Sequence, residues 1–460
     1  MKNVCSLGFI FLTYSCPGIA VTYDVTDQTG FVTALTASAA SSESNTINVN
    51  ASGGVAIASP TDVSGNSPYL LAIHVNGVGG TPEVPFNINA PLNVNAQGAI
   101  SLLPIDSSTV RMNIASSLTQ TGGTVSATNG SAIVIQDGGN YSLNGGILQA
   151  GGVNGISTVG SGVFNLGATT SEVIQVIDSD LSLNMNMHMD TPLPPTGAGV
   201  AILDTNGLNA TISGSLTTPN NTGGVPAFAK AGVGNLTLQN FIMTGGGGFF
   251  AVNGTVGVKG NASIPYLSIG IGAGANAALN LSDSNLNLTI SQPDAGNQGS
   301  AIQIGDFGGV GTVNHLAGTL NINDASFNIS NQGGQGTYNL SGGTINFTSL
   351  ESSVSFFNIG RNTNANPGTT GILNVSGTGL LNVHKTNGNV HMIIGSRSTS
   401  SGVHSSGEVN QTGGTIRISN GADLYLAGFG DGVYNLTGGA LEIGGDSLKG
   451  VFTGGSRAYL

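Results

Sequence analysis

The chain of 460 residues has no tryptophan, 5% aromatic residues and only 7% charged residues. Lysine, arginine and glutamate are scarce, which excludes helical bundles, coiled coils and ordinary α/β enzymes. Ten basic residues stand against 22 acidic ones, giving a formal charge of −12, and no Lys/Arg cluster exists. That argues against nucleic-acid binding, which needs clustered cations to displace counterions from phosphate. The acids are scattered as well, as suits a solvated surface better than a calcium cage. Cysteine is confined to Cys5 and Cys16. Disulfides therefore cannot staple the rest of the chain, and the fold must close through hydrogen bonds and packing. Beyond the first twenty residues, no run reaches the roughly 18 apolar residues of a membrane helix.

What the chain has in abundance is glycine, 75 residues of it, together with Asn, Ser and Thr. Val, Ile and Leu recur throughout and the mean hydropathy is positive, so the composition is not that of a disordered chain. It is that of an all-β chain rich in turns. At the N-terminus, Lys2 precedes an apolar run over residues 4–14, and Gly18-Ile19-Ala20 places small residues at −3 and −1 of a cleavage site. This reads as a secretory signal peptide over 1–20, cleaved after Ala20. A lipid-modified Cys16 is a second reading, for which Thr13-Tyr14-Ser15 is a poor approach.

Internal repetition is the strongest signal. Segments GTVNHLAGTLNI, GTYNLSGGTINF, GILNVSGTGLLNV, GEVNQTGGTIRI and GVYNLTGGALEI begin at 311, 336, 371, 407 and 432, so successive starts lie 25, 35, 36 and 25 residues apart. Each puts asparagine fourth: Asn314, Asn339, Asn374, Asn410 and Asn435. Between copies stands a short apolar strand ending in glycine, as in IQIG (302–305) and FNIG (357–360). Apolar residues alternate with Asn, Ser and Thr, the period of a strand with one buried face. A unit this short cannot bury that face alone, but stacked units can. The expected fold is a parallel β-helix, or a closely related solenoid, of about seventeen coils, roughly 80 Å at 4.8 Å per coil, with the asparagines hydrogen-bonding along the stack. Residues 27–44 form the one expected helix, with Phe31 and Leu35 on its apolar side, capping the end ahead of a strand at 46–49. The expected organisation is signal peptide 1–20, cap and first strand 21–50, degenerate solenoid 51–300 and clear repeats 301–460, the last ending in mid-repeat.

The pairing of an I-G strand, a loop and G-x-Y-N-L-T-G-G-x-L-x-I over 300–460 resembles the repeats of bacterial autotransporter passengers and related secreted surface proteins. The resemblance implies a right-handed parallel β-helix of the pectin-lyase-like type on the outer membrane or released from it, often an adhesin. It also implies an outer-membrane translocator as partner; no ten-residue strands of alternating polarity with aromatic girdles, the mark of such a translocator, are present in this sequence.

Arg361, Arg397 and Arg457 each follow the glycine of an I-G type strand. Set in register along one edge, interrupted at Phe429, they are candidate contacts for acidic glycans; the alternative is that each bonds its own loop or a nearby acid. Asp178 and Asp180 form the one candidate carboxylate pair for glycoside hydrolysis, but no Arg, Lys or His stands near them in sequence. Met185, Met187 and Met189 share one face of a single strand with Leu181 and Leu183, throwing His188 to the other side, as a core strand does and a copper(I) site does not. His74, His315, His384, His391 and His404 show no metal-ligand spacing. AGFGDG (427–432) is a lone calcium-repeat look-alike, and LPPTG (193–197) matches a sortase signal by letters alone. The sequence thus predicts no catalytic residues, metal or cofactor. It predicts an exported, non-enzymatic solenoid, an adhesin or structural surface protein whose partners are glycans or cell-surface receptors. The alternatives are a spacer for a separate functional domain or, third, a polysaccharide-degrading β-helix enzyme.

Overall fold

The computed structural model describes residues 20–460 apart from 42, 64–69, 79–82, 106–107, 129, 153–154, 168–171, 190–199, 220–226, 292–299, 351–353, 363–367, 398–404, 429, 445–450, 454–456 and 460. The signal peptide up to residue 19, the LPPTG loop and His404 lie outside the described residues. The chain is a parallel β-solenoid that divides into two compact units, Met1–Thr217 and Thr218–Leu460.

The first unit opens with a strand that the sequence reading missed, β1 (Val21–Val25), followed by α1 (Gln28–Ala39), β2 (Asn45–Val49) and β3 (Val55–Ile57). β1 pairs in parallel with β2, from Val21 opposite Asn45 to Val25 opposite Val49. The helix therefore bridges two paired strands instead of heading the chain. Asp27 caps it by accepting the Gly30 N–H at 2.7 Å, the favoured N-cap geometry. It ends at Ala39, short of the expected 44, where a serine-rich run competes for backbone hydrogen bonds. Phe31 and Ala34 are buried, and the Phe31 ring meets Phe86 edge-on at 6.1 Å. Its Gln28 amide bonds the backbone of Ala56 twice, Nε2 to the carbonyl at 2.8 Å and the N–H to Oε1 at 2.7 Å. That side chain acts as one peptide unit of a missing strand. It covers part of the exposed edge of a five-stranded parallel sheet whose last member is β3, an edge otherwise open to wrong pairing.

The second unit stacks three parallel ladders. One contains Val310–His315, Gln335–Leu340, Thr370–Val375 and the first halves of Ser406–Ser419 and Asp431–Ile443; the next contains Thr319–Asn323, Thr344–Ser349 and Leu380–Lys385; the third contains Ser300–Asp306, Ser326–Ile329, Val354–Asn362 and Asn389–Arg397. The repeat phase read from sequence is the structural one, since Asn314, Asn339, Asn374, Asn410 and Asn435 stand in register. Alternate residues fill the core: Val313, Leu320, Ile322, Phe327 and Ile329 are essentially inaccessible. Phe327 and Phe357 stack at 4.4 Å between ring centres, with Tyr338 and Phe347 edge-on to them.

The glycine that closes the strand at 360 is a steric requirement. Gly360 has φ +70, and a Cβ there would fall 2.0 Å from the Ser406 carbonyl oxygen. The backbone turns the corner there in the left-handed region, where glycine is free of strain; in two other coils Ser330 and Ala427 take the same turn at φ +72 and +58.

Outside, each ladder asparagine passes a hydrogen bond to the previous coil. Asn314 Nδ2 donates to Asn280 Oδ1 at 3.0 Å, and Asn339, Asn374, Asn410 and Asn435 continue the chain at 2.9, 2.8, 3.1 and 2.8 Å. A parallel ladder joins Asn287, Asn321, Asn346 and Asn382 at 2.8, 2.9 and 3.0 Å. An interior rung such as Asn374 both donates and accepts. Asn374→Ala is expected to lower unfolding stability by about 1–3 kcal/mol, two half-exposed hydrogen bonds being broken, while Asn435→Ala, at the exposed end of the described ladder, costs less; urea denaturation checks the order.

Candidate functional site

The arginine column predicted from sequence does not form. Arg361 stands opposite Ser396, Arg397 opposite Asn362, and Arg457 opposite Asp431 in a different ladder. The reason is a one-residue offset: Arg361 directly follows its glycine, whereas Ser396 separates Gly395 from Arg397, and one step along a strand changes the face. The side chains of Arg397 and Arg457 are outside the described residues.

Arg361 belongs to a polar cluster of the second unit. The residues just past the corner in three successive coils are Asp306, Asn331 and Arg361, held there because Asn331 N–H bonds the Gly305 carbonyl and Arg361 N–H bonds the Ser330 carbonyl. Asp306 is wholly buried. Its Oδ1 accepts the Phe307 N–H at 2.9 Å, which pins Phe307, half exposed, in a left-handed conformation with φ +49. Burial pushes the Asp306 carboxyl up to about 7, against the pull of the Phe307 N–H, the Arg361 charge and Asn331. Burial in turn lowers the Arg361 guanidinium, and Asp306 offsets part of that. Tyr266 and Gln303 lie alongside, and burial and the Asp306 charge hold the phenol proton tightly. Here the acid-pairing reading of Arg361 fits better than a free ligand contact.

The remaining arginines with described side chains are paired too, Arg111 with Glu83 at 3.2 Å and Arg417 with Glu442 at 2.6 Å. The acids hold corners together. Asp137 accepts from Ser161 N–H and Oγ at 2.8 and 2.6 Å, and Asp283 from the N–H groups of Gly260 and Asn285, both at 2.9 Å. These bonds draw both carboxyls below the usual range. Asp178 and Asp180 occupy an exposed bend, Asp178 at φ +62. Asp180 accepts the Asn209 N–H and Nδ2 at 2.9 and 3.0 Å, so it serves the same corner role. The methionine segment is two strands and not one: Leu183 ends the first, Met187–Met189 forms the next, and Met185 turns inward at the corner between them. His188 faces outward, between Asn165 and Thr217 in register. Among the described residues no three His, Cys, Asp or Glu side chains gather to hold a metal, and no helix is long and apolar enough to cross a membrane.

Besides Asp306, the buried ionisable groups Glu172 and Lys230 escaped sequence reading. Glu172 points inward in line with Ile174 and Val176, wholly buried; burial pushes its carboxyl up to about 8, against the pull of its own backbone N–H. Lys230 is equally buried, and its Nζ donates to the carbonyls of Gly232 and Asn253 at 2.5 and 2.7 Å. The only sequence signal for either was an ionisable residue at an inward position of the alternation.

Comparison of the chain with protein-family models, with curated proteins and with solved structures finds no match. The chemistry must therefore be read from the chain itself.

Both raised carboxyls bind protons more tightly folded than unfolded. Their contribution to stability is complete below the unfolded pKa, near 3.8 for Asp306 and 4.5 for Glu172, and is lost as pH rises towards about 7 and about 8. Denaturant midpoints are expected to fall between pH 5 and 8.5 because of these two groups, and Glu172→Gln with Asp306→Asn is expected to flatten that slope. Arg361→Met should steepen it, by removing the cation that favours ionised Asp306.

Proposed function

We propose that this chain is an exported, non-enzymatic surface protein, an adhesin or structural passenger of the type its repeats resemble. The observation that carries this reading is the pair of asparagine ladders on the outward faces of the second unit. An interior rung such as Asn339 or Asn374 spends one Nδ2–H and its carbonyl oxygen on its neighbours. The other Nδ2–H and a lone pair are left for an outside partner. The rungs recur at about 4.8 Å along each ladder, so weak contacts to a glycan or receptor repeat at fixed spacing and add by avidity. Asp178 and Asp180 lend the enzyme alternative no support, because a glycosidase pair needs one carboxyl with a raised pKa, whereas Asn209 draws that of Asp180 down.

Two experiments test the proposal. Secreted protein is expected to begin at Val21 by N-terminal sequencing; an uncleaved chain retained in the cytoplasm would remove the export claim. Purified residues 21–460 are expected to bind a glycan panel or whole host cells, with binding that persists at high salt because the ladders are uncharged. A folded protein that binds neither returns the spacer reading.

A further inference from the structure

Among the described residues one buried arrangement occurs three times, twice with glutamine and once with histidine. Tyr141 Oη donates to Gln120 Oε1 at 2.6 Å, and Gln120 Nε2 donates to the Gly123 carbonyl at 3.2 Å. Tyr434 Oη donates to Gln411 Oε1 at 2.5 Å, and Gln411 Nε2 donates to the Gly414 carbonyl at 3.3 Å. In the third copy, Tyr338 Oη lies 2.9 Å from His315 Nδ1, and His315 Nε2 lies 3.3 Å from the Gly318 carbonyl. The geometry is shared. Each tyrosine stands beside the residue two before the Gln or His of the preceding coil: Leu118 by Tyr141, Val313 by Tyr338, and Val409 by Tyr434. Where that Gln or His is replaced by Leu340 or Val375, the next coil offers Leu373 or Val409 in place of tyrosine. The two positions form one unit that ties a coil to the next at a corner.

The carbonyl fixes the histidine tautomer. Nε2 must carry the proton to donate to Gly318, so Nδ1 is the acceptor for the Tyr338 hydroxyl. Glutamine does the same work at any pH. Histidine does it only while neutral: a proton on Nδ1 turns that atom into a donor, strands the phenol hydrogen without its acceptor and buries a charge. The ring is wholly buried. No acid compensates: its own strand, Val310–His315, the strands on either side in the ladder, Asn276–Leu281 and Gln335–Leu340, and the strands following the corner, Thr319–Asn323 and Thr344–Ser349, carry Tyr338 as their one titratable group besides His315. Asp283, in the corner of the preceding coil, turns its carboxylate to Gly260 and Asn285. Burial accordingly lowers the His315 pKa.

We infer that His315 makes the coil at 310–340 an acid-sensitive lock, which opens as Nδ1 takes a proton and gives up the Tyr338 hydroxyl, while the Gln120 and Gln411 ties stay shut. The sign follows from linkage. The stabilising contribution is complete above the unfolded value of 6.5 and is lost as pH falls below it, by at most tenfold in the opening equilibrium per pH unit. Asp306 titrates with the opposite sign in this range, and the corner aspartates with lowered pKa respond only in stronger acid.

The test is hydrogen exchange, read as protection factors by segment between pH 7.5 and 5 on the whole chain. Protection over 311–340 is expected to fall severalfold or more with acid, while that over 407–440 holds. His315→Gln, which installs the side chain used by the other two ties, is expected to abolish the fall and keep the fold. Gln411→His is expected to transplant the acid response to 407–440. Equal acid loss in both segments of the unaltered protein would overturn the inference, as would an unchanged response in His315→Gln.

Discussion

Everything in this molecule depends on strand-to-strand hydrogen bonding between successive coils. A parallel ladder pairs each backbone amide and carbonyl with the coil before and the coil after, so every coil must repeat the path of its neighbour to within a residue. That demand explains the composition. Inward positions must be apolar to fill a narrow core, and outward ones short and polar. Corners must pass through left-handed backbone, which is why Gly305 and Gly360 hold φ near +70 under a neighbouring carbonyl. Long charged side chains have few places to go, and several of the aspartates serve as acceptors for corner N–H groups.

The same constraint turns single substitutions into coupled ones. A polar side chain placed inward at a corner can be answered by the next coil, as tyrosine answers Gln120, His315 and Gln411. Lys230 is answered by backbone carbonyls and Asp306 by Arg361 and an N–H, while burial holds Glu172 towards its neutral form. Buried polarity costs stability unless it is paired, and stacking supplies pairing partners at each level.

A solenoid also separates scaffold from surface more cleanly than most folds. Core and corners fix the path, and the outward columns are free to vary or to repeat. Here they repeat. A surface built from identical neutral rungs suits weak, multiple contacts better than a single reacting centre, which needs unlike groups brought to one point.

The sequence by itself determined the class of fold, the phase of the repeats, the glycine corners and the asparagine ladders, because all of these follow from a local period and from residues that recur in the same phase. It also marked the methionine segment as core, although the corner at Met185 was hidden by unbroken alternation. The tertiary structure alone decided what each outlier meets. The lead strand β1 was invisible because VTYDV is too short to declare itself without β2 beside it. The arginines looked aligned because each comes soon after a glycine, but register is counted residue by residue across coils, and one inserted serine at 396 sets Arg397 opposite Asn362 instead of Arg361. The tyrosine ties were written in the repeats, at Gln411 and Tyr434 for example, yet their meaning depends on a reach from one coil to the next. Local pattern fixes which way a side chain points; only stacking fixes which side chain it finds there.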